Sequence, residues 1–299
     1  MTTQPFVLLD GGLSTALAEI GVDTSSELWT AWAAWKRPED LVRAHHAFVE
    51  AGADVVTSAS YQCDLELLER AGAEARTARE VLASTTSLAR RATAGTSCSV
   101  AVSIGPFGAS LADGSEYTGR YDVPLAVVER YHRRRLEVLI DTGADLFAVE
   151  TIPRRDEARI VCDLLVEFGS PPAWFSFGVA DSALTYGGDP IVESCRLVAE
   201  YPTLVAVGVN CTAPVHVATT LSAVRTIERP MVAYPNHGRA WNAVERRWEG
   251  DTETIDFEAV ASWVAAGARY IGGCCGVGPR GIAHLARLRS RLAASGPMP

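Results

Sequence analysis

Short apolar, β-branched runs recur along the chain, and each is followed by a longer segment whose apolar positions fall at helical spacing. Eight such runs stand out: Phe6 to Leu9, Asp54 to Ser58, Cys98 to Ile104, Asp145 to Val149, Ala173 to Val179, Leu204 to Val209, Met231 to Tyr234 and Tyr270 to Gly273. Most are almost continuously apolar, as in Leu204-Val205-Ala206-Val207-Gly208-Val209. That is the pattern of a strand covered on both faces, not of a half-solvated one. The segments between them predict amphipathic helices. From Pro38 to Ala51, for example, Leu41, Ala44, His45, Phe48 and Val49 form one stripe.

Strand and helix alternating eight times over 299 residues predict a single (β/α)8 barrel of class α/β, since such barrels typically run to about 250 residues before insertions. A doubly wound open sheet is the competing arrangement. Its glycine-rich turn after the first strand is missing, because Asp10-Gly11-Gly12-Leu13-Ser14 lacks the dinucleotide spacing. No composition shift or linker divides the chain, so residues 1–299 read as one domain with a core from about 6 to 290. The longest stretches without periodicity, Pro106 to Pro124 and Asn236 to Thr254, follow predicted strands, where a barrel carries its substrate-covering loops.

Charge and cysteine usage narrow the function classes. The balance of 27 Lys+Arg against 36 Asp+Glu, net −9, argues against nucleic acid or an anionic membrane as a partner. The one basic cluster, Arg130 to Arg135, lies in a helical pattern and is expected to be a solvated face. There is no secretory signal pattern and no apolar run of transmembrane length. Seven cysteines, an odd number spread through the chain, favour a reducing cytoplasm over a disulfide framework.

In a barrel the C-terminal strand ends carry the chemistry. Here they read Asp10-Gly11-Gly12, Glu150-Thr151, Asn210-Cys211, Pro235-Asn236 and Cys274-Cys275-Gly276. Cys211, taken to be on the neighbouring strand, with the vicinal pair Cys274 and Cys275, offers three thiolates to one Zn2+ and leaves a fourth position open for catalysis. Gly272, Gly273 and Gly276 would relax the backbone enough to aim both vicinal sulfurs at one ion. A vicinal disulfide, or buried thiols acting as small apolar groups, accounts for the same spacing. An open zinc position serves either a bound thiol or a bound water, so a zinc hydrolase and a thiol-based metal or redox sensor stay in play.

Asp10 and Glu150 fit a clamp on a substrate ammonium group; helix N-caps, surface acids or a glycosidase pair are the other readings. Trp29 is placed to stack on a cation, while Trp32 and Trp35 read as core. His216 and His237 are expected to serve their loops and His45 and His46 the helix they lie in. The run from Gly276 to Gly281 matches the dinucleotide glycine spacing, but too little chain follows for the second strand, so a turn into the last helix is expected.

These segments, together with Gly52-Ala53-Asp54, Ser58-Ala59-Ser60-Tyr61-Gln62, Ser103-Ile104-Gly105-Pro106-Phe107-Gly108, Leu111-Ala112-Asp113-Gly114-Ser115-Glu116-Tyr117, Tyr234-Pro235-Asn236 and Ile271-Gly272-Gly273-Cys274-Cys275-Gly276, resemble the homocysteine S-methyltransferase family from about Leu8 to Leu285. The resemblance implies a (β/α)8 barrel in which Cys211, Cys274 and Cys275 bind zinc and the homocysteine thiolate is the fourth ligand. It implies that Asp10 and Glu150 hold the homocysteine amino group, that Thr57 and Tyr61 line the pocket, and that Asn236 lies near the metal when substrate is absent; Gly11 and Trp29 are expected to bind substrate beside them. Within the family the likeness is to the small stand-alone enzymes using S-methylmethionine or S-adenosylmethionine as methyl donor, with methionine as product. A betaine-type or selenohomocysteine methyltransferase is the alternative within the family. The departures, Thr212-Ala213-Pro214 and His237, bear on donor choice rather than on zinc.

Overall fold

The computed structural model describes residues 4–242, 247–250 and 255–294. Eight parallel strands carry the fold: β1 (Val7–Leu8), β2 (Val55–Thr57), β3 (Ser99–Ile104), β4 (Leu146–Ile152), β5 (Ala173–Phe177), β6 (Leu204–Asn210), β7 (Met231–Tyr234) and β10 (Ala268–Ile271). A small antiparallel hairpin, β8 (Ala240–Asn242) with β9 (Arg247–Glu249), falls between the last two. The sheet order is β1-β10-β7-β6-β5-β4-β3-β2, and a parallel bridge between Leu9 and Val55 joins its ends, so the sheet closes as the expected (β/α)8 barrel. The hairpin lies in the stretch from Asn236 to Thr254 expected to cover the substrate; residues 243–246 and 251–254 of that stretch lie outside the described residues.

The continuous apolar runs are explained by two cores. Outside the barrel, residues such as Val102, Val149, Phe175, Val207 and Ala233 pack against the helices. Inside it, Leu9, Ala101, Ala148, Trp174, Ala206 and Val232 fill the lumen. Trp174 is accommodated because its ladder partners on either side are Ala148 and Ala206, a large residue between small ones. The helix Pro38–Glu50 follows its sequence signals closely. Proline occupies its first turn with Glu39 and Asp40, which complement the helix dipole, and Leu41, Ala44, His45 and Phe48 are buried. His45 is fully enclosed with neither ring nitrogen hydrogen-bonded, and burial lowers its pKa to about 4.

Two expectations need correction. Strands β6 and β10 are not neighbours, because β7 lies between them in a barrel that keeps sequence order. The arginine cluster is only partly a solvated face. Arg133 and Arg134 do pair with surface acids Glu129, Glu167 and Glu66. Arg135, however, is buried and donates to the carbonyls of Ser60, Tyr61 and Gly105. Three inward carbonyls of the loops after β2 and β3, of which Ser60 also accepts Cys63 N–H, supply the partners that make a buried guanidinium tolerable. None of the described helices is long and apolar enough to cross a membrane.

Candidate functional site

The C-terminal rim carries the site. Although β7 separates their strands, Cys211, just after β6, and Cys274 and Cys275, in the loop after β10, place their sulfurs within 4.8 Å of one another. The loop after β10 leans inward under three backbone bonds: Gly272 N–H donates to Ala233, Gly273 N–H to Asp10 and Cys274 N–H to Pro235. Of the three glycines expected to relax this loop, Gly276 alone has a left-handed φ, at 79°. Gly11 faces the same loop, and a Cβ there would stand 2.1 Å from the Val277 carbonyl oxygen, so only glycine admits this approach.

All seven cysteines are free thiols. Cys211 and Cys274 each point a sulfur at Cys275, at 3.6 and 3.9 Å. Hydrogen bonds from both hold the Cys275 thiol well below its ordinary range, while Cys274 is correspondingly raised. A cluster of three sulfur donors, with no carboxylate or imidazole in the set, has the composition that suits a borderline-soft divalent ion such as zinc. Neither His216 nor His237 belongs to it. His216 lies against the Ser182 hydroxyl, and the His237 ring packs over Gly276.

Asp10 and Glu150 open into the same small cavity of about 70 Å³ as the three cysteines. Neither caps a helix: Gly12 and Arg154 hold those positions for the helices that follow. Asp10 accepts the Thr57 amide at 2.8 Å and the Thr57 hydroxyl at 3.1 Å on each oxygen. Burial nonetheless pushes its pKa up to about 8, with a smaller contribution in the same direction from the Glu150 charge. Glu150 is pushed to about 7, again by burial, against the lowering hydrogen bonds of the Ser103 and Tyr234 hydroxyls. Two buried carboxyls that resist ionisation in isolation are disposed to take up a cation. Gly11, Trp29, Thr57 and Tyr61 line this cavity. Asn236 sits just outside, its side-chain amide donating to the Cys211 carbonyl at 3.2 Å and accepting from Gly238 N–H at 2.8 Å.

A second, larger cleft of about 620 Å³ adjoins the first and shares Ser14, Trp29, Tyr117 and Cys275 with it. Trp29 stands at the junction with its ring edge-on to Tyr61, 6.1 Å between centroids, on a backbone with φ 47° and ψ −122°. Such a backbone in a tryptophan is strained, and strain of this kind collects at functional sites. Several residues of the site were not singled out from sequence. The Tyr117 hydroxyl lies 3.7 Å from Cys211 Sγ and 4.0 Å from Cys275 Sγ; Ser103 and Tyr234 hold Glu150. Thr151 and Asn210 exchange two 2.7 Å hydrogen bonds that tie the ends of β4 and β6 together. All lie at strand ends or in the stretch from Pro106 to Pro124, the one available signal.

The sequence profile of the family described as homocysteine S-methyltransferase matches residues 7–289. The chain belongs to the homocysteine S-methyltransferase family. It is 40% identical to homocysteine S-methyltransferase 4 of Zea mays, over 94% of this chain and 88% of that protein. It is 36% identical to the homocysteine S-methyltransferase of Escherichia coli K12, over 94% of each. The crystal structure of the Escherichia coli homocysteine methyltransferase MmuM in its metallated form superposes with a TM-score of 0.84 at 35% identity, covering 97% of both chains.

Proposed function

We propose that this member of the homocysteine S-methyltransferase family is a zinc-dependent enzyme that moves a methyl group from a sulfonium donor, S-methylmethionine or S-adenosylmethionine, to the sulfur of homocysteine, giving methionine. The observation that carries the reading is the convergence of three thiols and two buried carboxyls on one small cavity that opens into a larger cleft. The small cavity suits an amino acid with a sulfur at one end and an ammonium at the other; the cleft suits its partner.

Cys211, Cys274 and Cys275 would hold the metal, which when bound supplies positive charge that keeps a substrate thiol ionised at neutral pH. Asp10 and Glu150 would grip the homocysteine ammonium, and that charge would draw both carboxyls into their ionised forms. Thr57, Ser103 and Tyr234 fix the carboxylates in place, so the acceptor sulfur is presented in one orientation. The homocysteine thiol proton leaves to solvent. The acceptor sulfur's lone pair forms the new carbon–sulfur bond as the donor's methyl–sulfur bond breaks, its electron pair staying on the donor sulfur. A cation and an anion thus become two neutral thioethers. No side chain has to move a proton in that step, so the contribution of the protein is positioning and exclusion of water.

The test is metal content together with methionine formation from homocysteine, with S-methylmethionine, S-adenosylmethionine and betaine offered separately. About one zinc per chain and methionine from a sulfonium donor are expected. Cys274→Ala should lose metal and turnover together while keeping the near-ultraviolet dichroism of the folded barrel. Turnover retained in that variant, or bound zinc with no transfer from any donor, refutes the reading.

A further inference from the structure

The larger cleft has an electrostatic character that the acceptor site does not explain. Among the described residues lining it, the charged ones are Asp23, Glu27 and Glu116; none is Lys, Arg or His. Asp23 and Glu27 are exposed at its outer edge, whereas Glu116 is recessed beside Tyr117, whose hydroxyl reaches the cysteine cluster. Glu116 Oε2 is shielded from solvent and has no hydrogen-bond partner. A carboxylate oxygen in that condition is unfavourable in isolation and normally marks a missing partner.

The position of Glu116 is built rather than incidental. The loop from Phe107 to Tyr117 folds back so that a Cβ on Gly108 would stand 2.6 Å from the Glu116 amide nitrogen; glycine alone lets the two backbone segments touch. Asp113 then pins the turn by accepting the Ser115 amide at 2.9 Å and the Ser115 hydroxyl at 2.5 Å. Tyr117 is braced on its far side by Tyr186, ring edge to face at 5.6 Å. The result is a partly buried glutamate lining the cleft beside Tyr117, in a wall that also carries Trp29 and Cys275.

We propose that Glu116 is the residue that selects a positively charged donor, its carboxylate lying against the sulfonium centre and giving the cleft its preference for sulfonium over neutral thioether. The inference rests on the sulfonium-donor reading above and says which residue enforces it. Burial lifts the Glu116 pKa to about 7, as expected of a carboxyl that lacks a counter-charge until a cation arrives. The donor loses its charge as the methyl group leaves, so the attraction is strongest in the bound substrate and gone in the product. An interaction of that kind tightens donor binding and releases the neutral thioether; it does not accelerate the chemical step. Glu116 is thus a specificity residue whose removal acts on KM.

The experiment uses the zinc-loaded enzyme with saturating homocysteine, S-methylmethionine as donor, and homoleucine, in which a CH replaces the sulfonium sulfur, as an unreactive neutral competitor. In Glu116→Gln the donor KM should rise by about tenfold to a hundredfold, the range of one charge-assisted contact. The homoleucine inhibition constant and the homocysteine KM should stay put and kcat should not fall. Glu116→Asp, which keeps the charge, should retain most of the discrimination and so separates charge loss from a damaged fold. An unchanged donor KM in Glu116→Gln overturns the proposal. So does a parallel rise in the donor and homoleucine constants, which would mean that Glu116 shapes the cleft or reads the amino-acid end. Wild-type enzyme that makes no methionine from S-methylmethionine would instead overturn the donor reading itself, an outcome visible before any variant is made.

Discussion

Asp10→Asn provides the sharpest test of the acceptor site, because the structure predicts a pH dependence as well as a loss. Burial raises the Asp10 pKa from 3.8 to about 8, equivalent to about 6 kcal/mol against the charged form. In the empty pocket near neutrality Asp10 is therefore mostly protonated and must shed its proton to receive an ammonium group. Above about pH 8 the wild-type carboxylate is ready-made, and replacing it with a neutral amide should raise the homocysteine KM by about tenfold to a hundredfold. Below pH 8 the wild-type enzyme loses about tenfold of this advantage per unit, whereas the asparagine variant has only the Glu150 proton to shed, which both enzymes share. At about pH 6.5 the KM ratio of variant to wild type should therefore lie about tenfold or more below its alkaline plateau. Ionisation of the homocysteine thiol affects both enzymes alike and cancels in the ratio. The assay is initial-rate methionine formation at saturating donor, in one buffer series from about pH 6.5 to 9. A ratio that stays flat across the series, or a KM unchanged by the substitution at the alkaline end, would refute the ammonium clamp.

Two further predictions concern the scaffold under the site. His45 is neutral and enclosed in the fold at a pKa of about 4, whereas the unfolded chain takes up its proton near pH 6.5. Its lowered folded pKa makes stability fall as pH drops from 6.5 towards 4, by about 2 kcal/mol at pH 5. Unfolding free energies from urea titrations at pH 7 and 5 should converge by that amount in His45→Leu, and an unaltered acid sensitivity would show that another group is responsible. Glu157, buried, accepts the Phe107 amide at 2.6 Å, the Tyr121 hydroxyl and His132 Nε2 at 2.8 Å. Glu157→Gln turns a donor towards donors in that nest and should destabilise by about 3 kcal/mol. Amide exchange should rise first across the Phe107–Tyr117 loop, and uniform protection in the variant would place the network outside that loop's support.

The parts of this protein that follow from local physics were legible in its sequence. Parallel strands covered on both faces read as unbroken apolar runs, so the eight strand positions could be located from Leu204 to Val209 and its counterparts without any contact information. The cysteines and carboxylates were legible for a related reason: in a barrel, whatever follows a strand faces the rim. Pairings that depend on three-dimensional closure were hidden. Arg135 is indistinguishable from Arg133 and Arg134 in a helical pattern, yet of the three it alone is buried against three loop carbonyls. Tyr117 and Glu116 enter the site only because a loop folds back on Gly108.

The residues that local rules would have read wrongly are the ones that aim the site. Thr151 and Cys211 both adopt left-handed backbones, with φ of 57° and 48°, where neither residue type is favoured. Thr151 directly follows Glu150 at a break in register between β4 and β5, and Cys211 directly follows the last residue of β6. Each conformation would relax on its own. The reciprocal hydrogen bonds between Thr151 and Asn210 hold both at once, joining the carboxylate strand to the thiol strand across β5. Strain at two rim positions, locked by one polar pair across β5, is how this barrel turns ordinary strand ends into a fixed distance between the Glu150 carboxyl and the Cys211 sulfur, the groups proposed to hold the ammonium and the metal. Propensity points elsewhere at these two positions because the geometry serves the site and not the strand.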